Sequence, residues 1–140
     1  MKENHIICPN YYLVFSSLFL SLPGVAFIIK EEYPQAILSF LCCISSIAWH
    51  STKPRYTIIL FVDKIFAYSS VGLAVHTASR SLPYSLVPLS FFIGWAYLLY
   101  IVGHQYNCFS WDPNYIVSTR WHMSHHILNG LIGTYIVFLN

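Results

Sequence analysis

Five apolar stretches, each near the length of a membrane-crossing helix, take up most of this chain. A bilayer core about 30 Å thick requires about 20 predominantly apolar residues per helix, with a range of about 17–25. The stretches cover residues 11–29, 34–50, 56–76, 83–102 and 119–139. Inside lipid, backbone N–H and C=O groups must be satisfied within the segment, and a helix does this. Asp, Glu, Lys and Arg make up 9% of the chain, against about 25% in soluble domains. So few charges cannot cover a soluble surface. The chain is therefore predicted to be all-α: one transmembrane domain over residues 1–140, an integral membrane bundle of about five helices.

The breaks between stretches carry helix-ending chemistry. Lys30-Glu31-Glu32 closes the first stretch, and Pro23 is expected to kink it. Pro34 suits the first turn of the second. Residues 51–55 and 77–83 make the next two connections. The longest polar connection is expected over 103–118, with His104, Asn107, Asp112, Pro113 and Asn114. The first stretch is longer than a usual signal-peptide core and has no clean small-residue cleavage site, so it is predicted to be a retained span. A net charge of +2 without a basic stripe gives no case for nucleic acid. Cys8, Cys42, Cys43 and Cys108 follow no zinc-finger spacing, and Cys42-Cys43 are expected to pack as small hydrophobes.

Basic residues set the expected orientation. Lys2, Lys53, Arg55, Lys64 and Arg120 fall on the side of the N-terminus, and Lys30 and Arg80 on the other. This predicts a cytoplasmic N-terminus, with Lys64 snorkelling from inside the third span. On the same side lie four ionisable residues of the apolar stretches. His50 ends the second helix. Asp63 lies eight residues after Arg55, roughly 12 Å into the third helix at about 1.5 Å per residue. His122 and His126 open the fifth. An ionisable side chain inside a span is costly and marks function by default. Four at one membrane level, from three helices, are more economically read as one site than as four accidents.

Three imidazoles beside one acid suit a catalytic zinc. His122 and His126 are four apart, so they share a helix face, and His50 adds a third ring. Zinc accepts three histidines and keeps one position open for water, whose pKa falls towards about 7. Asp63, the acid within a span, is the candidate to take and return a proton. Ser46 is four residues before His50 on the same face. It could orient His50 or steady an oxyanion, or bond back to its own helix; spacing alone leaves these even. His5 and His104 suit the headgroup level, and His76 is expected to pack or to lie at the interface. His125 points about 100° away from His126 but remains an alternative ligand at spacing three from His122. Trp49, Trp95, Trp111 and Trp121 fit interfacial belts and aromatic packing.

These residues resemble the alkaline ceramidase and adiponectin-receptor superfamily of seven-helix membrane hydrolases. That family has Ser-x3-His at the end of helix two, an Asp in helix three and His-x3-His in the last helix. The matches here are Ser46-Ile47-Ala48-Trp49-His50, Asp63, and His122 with His126. The run from His126 to Tyr135 looks closest to the alkaline ceramidase branch, and Asn10-Tyr11-Tyr12 is faintly similar to that branch's N-terminal motif. The resemblance covers about residues 35–75 and 118–139. It implies zinc on His50, His122 and His126, Asp63 on the zinc-bound water, Ser46 in support, and a ceramide-like membrane lipid as substrate. Two departures stand out. Five spans are counted rather than seven, the loss falling between Asp63 and His122, where removing two preserves sidedness. The acidic N-terminal cluster that binds calcium in alkaline ceramidases is absent, since residues 8–12 read Cys-Pro-Asn-Tyr-Tyr. A reduced member either cleaves a different lipid, closes its cavity by forming a homodimer, or is inactive.

The expected activity is hydrolysis of a lipid amide, with ester cleavage, as in the superfamily's phospholipase branch, using the same parts. The competing readings are a non-catalytic protein whose metal is structural or sensory, and a histidine-based haem or proton-relay protein.

Overall fold

A computed structural model describes residues 9–52 and 57–140. The described residues are 85% helical and contain no strand. They form five helices: α1 (Tyr11–Ile29), α2 (Tyr33–Ser51), α3 (Thr57–Ser79), α4 (Leu86–Tyr106) and α5 (Tyr115–Phe138). A single 3-10 turn, Phe109–Trp111, lies between α4 and α5. Three helices are long and apolar enough to cross a membrane, over Tyr11–Ile29, Ile58–Ser79 and Leu86–Tyr106. The other two, α2 and α5, bury polar side chains, Ser39, Ser45, Ser46 and His50 on α2 and Thr119 and His126 on α5, which lower their hydropathy.

Two expected boundaries move. The fourth helix, expected over 83–102, begins at Leu86 and runs on to Tyr106, through a π-helical stretch at Leu98–Val102. It stops at Asn107, whose φ of 51° is the left-handed conformation that ends helices. The fifth, expected from 119, starts a turn earlier at Tyr115. There the Asn114 side chain accepts from the N–H groups of Ile116 and Val117, satisfying donors that a helix start leaves open. The long polar connection therefore shrinks to residues 107–114. Lys2, Lys53 and Arg55, three of the five residues behind the expected orientation, lie outside the described residues, as do Cys8 and His5.

The helices run alternately up and down. At one end, the Arg80 guanidinium after α3 pairs with Glu32, between α1 and α2, at 2.7 Å. The C-terminal Asn140 joins that end by donating to the Thr77 carbonyl at 3.2 Å. At the other end, Asn10 holds three helices. Its side chain caps α1 at the Leu13 N–H (3.2 Å) and donates to Thr119 of α5 (3.3 Å), and its own N–H donates to the His50 carbonyl of α2 (3.0 Å).

An apolar core sits towards the first end, built from Ala26, Phe27, Ala36 and Val137 with Phe40 and Leu73 against it. The close approach of α1 and α5 has a covalent origin. Pro23 has no N–H, so the Phe19 carbonyl loses its usual i+4 donor. That carbonyl accepts from Leu22 instead, and Leu18–Ser21 tightens into a 3-10 turn. The released carbonyl turns towards Gly130, where a Cβ would collide with it. By contrast, α3 has no buried residue in its apolar window. Its Ile58, Phe61, Ile65 and Tyr68 face outwards, as lipid-facing residues do.

Candidate metal centre

His50 lies in the last turn of α2, and His122 and His126 lie about two and three turns into α5. The backbones of α2 and α5 stay apart, with α1 packed against both. The three imidazoles reach into the gap. Ring centroids are 5.0 Å apart for His50 and His122, 5.4 Å for His50 and His126, and 4.7 Å for His122 and His126. One nitrogen from each ring lies within 4.8 Å of the others. Zinc–nitrogen bonds of about 2.0–2.1 Å in a tetrahedral site put ligand nitrogens about 3.4 Å apart. Small ring rotations would close that difference. Three histidines therefore stand close enough to hold one metal ion, and His50 and His126 are buried.

The hydrogen bonds around the rings fit a metal site. His126 Nδ1 is 2.9 Å from Ser16 Oγ and 3.4 Å from Ser17 Oγ, both on α1. With Nδ1 donating to Ser16, Nε2 is left for a metal, and the serine fixes both tautomer and ring angle. Ser16 and Ser17 each donate to the Leu13 carbonyl, at 3.0 and 2.8 Å. Ser46 reaches Ser17 at 2.9 Å. The sequence had suggested Ser46 as a partner of His50 itself; its hydrogen bond runs instead through Ser17 to the His126 side of the site. Adjacent residues on a helix diverge by about 100°, so Ser45 points to the other neighbour. It donates to Asp63 Oδ1 on α3 at 3.2 Å. Asp63 is thus tied to α2, with no hydrogen bond to a histidine among the described residues.

His125 stands apart. Its Nε2 is 2.8 Å from the Asn129 side-chain nitrogen one turn on, and it is outside the group whose nitrogens converge. Tyr100, central in the π-helical stretch of α4, meets His125 and His122 edge-on at centroid distances of 4.9 and 6.1 Å. Sequence reasoning passed over Ser16, Ser17, Ser45 and Tyr100. Two adjacent serines inside an otherwise apolar span were the available signal for the first pair.

One cavity borders the site and a second lies deeper in the bundle. The first, of about 250 Å³, opens at the Asn10 end, lined by His50 and His122 together with Asn10, Trp49, Ser110, Asp112 and Thr119. The second, of about 60 Å³, lies among Pro23, Phe27, Leu73, Phe92, Asn129 and Ile136. Thr77 Oγ1 and Asn129 Oδ1, both from residues lining it, are buried without a hydrogen-bond partner in the structure.

Comparison of the chain with protein-family models, with curated proteins and with solved structures gives no match.

Proposed function

We propose that this chain is a five-pass membrane protein that hydrolyses a lipid amide, with zinc held by His50, His122 and His126. The observation that carries this reading is the convergence of three imidazoles, with no fourth protein ligand among the described residues, inside a helical bundle. The resemblance to the alkaline ceramidases rests on the same residues and points to a ceramide-like substrate. Further support comes from the cavity of about 250 Å³ bordered by His50 and His122, which gives the reacting end of a substrate access to the triad.

Zinc, when bound, would activate a water and polarise the amide carbonyl. The chain's own groups do the rest. Asp63 takes a proton from the attacking water and returns it to the leaving nitrogen, while Ser45 holds the carboxylate in place. Ser16 fixes His126, and Ser46 supports it through Ser17. The N-terminus and the metal site lie on the cytoplasmic side.

The test is metal analysis of the purified protein, together with a screen of fluorescent N-acyl lipids and phospholipids. About one zinc per chain and turnover of an N-acyl lipid are expected. Asp63→Asn should retain zinc and lose about 10² to 10⁴ in rate, the usual effect of removing a general base. Equal turnover in that variant would remove Asp63 from the mechanism. Turnover of phospholipids alone would move the activity to esters.

A further inference from the structure

The wide cavity beside His50 and His122 has a lining of unusual composition. Its described residues include one carboxylate, Asp112, and the rings of Trp49, Trp111 and Tyr115 beside the His50 and His122 imidazoles, with no lysine or arginine. The cavity, of about 250 Å³, is large enough for several waters or a small head group.

Its wall is firmly built. Gly103 lets the 108–111 segment close onto α4: a Cβ there would stand 2.8 Å from the Cys108 carbonyl oxygen and 3.3 Å from the Trp111 ring. His104 meets Trp111 edge-on at 4.7 Å. Phe109 has a φ of 55°, a costly conformation for a bulky residue. Its ring packs on Trp121 at 5.0 Å. Ser118 donates to the Ser110 carbonyl at 2.7 Å, tying the segment to α5. Within this wall, Asp112 Oδ1 accepts the Asn114 N–H at 2.7 Å. Its second oxygen has no hydrogen bond among the described residues. The Ser110 hydroxyl, also on the lining, is buried without a partner.

In the metal-free site, an anion in this cavity would meet a carboxylate and, among the described residues, no lysine or arginine. A neutral group would displace water from that carboxylate and return little. An ammonium satisfies the carboxylate and gains cation–π attraction from indole and phenol rings. We propose that this cavity binds the ammonium end of an amphiphile, held by Asp112 with Trp49, Trp111 and Tyr115, next to the metal triad. The assignment rests on the hydrolase reading for its role, though not for binding itself. Hydrolysis of an amide, RCONHR′ + H2O, breaks the C–N bond and places the water oxygen on the acyl carbon. Both water protons end on nitrogen, giving RCOO⁻ and R′NH3⁺. The cavity is then the seat of the released long-chain amine, and that amine should inhibit as a product.

The test uses full-length, metal-free protein in neutral detergent and follows tryptophan fluorescence. Dodecylammonium is the probe, with dodecanol and dodecanoate as neutral and anionic controls of equal chain length. Saturable binding of dodecylammonium alone is expected. Asp112→Asn keeps the Oδ1 that accepts Asn114 N–H, so the turn survives while the charge goes. It should weaken binding about tenfold or more. Trp111→Leu should weaken it about threefold or more. Equal binding of all three probes to the wild-type protein overturns the proposal, as does an unchanged affinity in Asp112→Asn. Zinc content and N-acyl turnover of the protein as purified, before the metal is stripped, separate the two readings. Ammonium binding without zinc sinks the hydrolase, and zinc with turnover but no selective ammonium binding sinks only this site.

Discussion

Replacing Gly130 by alanine should damage the metal site without touching a ligand. A methyl at this position would stand 2.7 Å from the Phe19 carbonyl carbon and 3.1 Å from Phe19 Cβ, and closer still to the carbonyl oxygen. Carbon atoms pack at about 3.5–4.0 Å, so α1 and α5 must separate by about 1 Å. The neighbour is backbone fixed by Pro23, so no side chain can swing away. Overpacking of this kind costs about 1–3 kcal/mol. The same displacement would stretch the Ser16–His126 bond from 2.9 Å beyond hydrogen-bonding range. Metal bonds tolerate only about 0.2 Å, so zinc stoichiometry should fall to well under half. Thermal unfolding in detergent and metal analysis read both effects. Gly94→Ala and Gly72→Ala are the controls, because nothing lies within 4 Å of a Cβ at either glycine. Both are in helices, where alanine is favoured by about 0.5–1 kcal/mol. If Gly130→Ala matches these controls in stability and zinc content, the close approach of α1 and α5 does not organise the site.

His126→Ala should lower zinc stoichiometry sharply, whereas His125→Ala should leave most of it; the reverse result would put the wrong face of α5 at the metal. Acidification towards pH 5 should release metal, because a protonated imidazole cannot ligate. Zinc retained in full at that pH in an equilibrium dialysis would argue against an all-histidine site. Reporter fusions or cysteine labelling at Lys2 and near Arg80 should place these positions on opposite sides of the membrane, and a shared side would refute the five-pass topology.

Local sequence was enough for everything that depends on distance along one helix. Runs of apolar residues located the five helices, and helical spacing put His122 and His126 on one face. Counting alternating spans brought His50 to the same end of the bundle. The ends of α4 and α5 were less legible, because the polar residues over 103–118 suited a loop as well as a helix. There, the left-handed Asn107 and the Asn114 cap decided the boundaries.

Only the tertiary structure decided which hydroxyl meets which ring. Ser45 and Ser46 are neighbours in sequence, yet one bonds Asp63 on α3 and the other Ser17 on α1. Their directions depend on the rotation of α2 between its neighbours, and no periodicity within α2 contains that angle. Ser16 gained its place on His126 in the same way. The separation of α1 and α5 was set where a proline-freed carbonyl on one helix met a glycine on the other. Such a contact needs both helices in position, since neither residue marks its partner in the sequence.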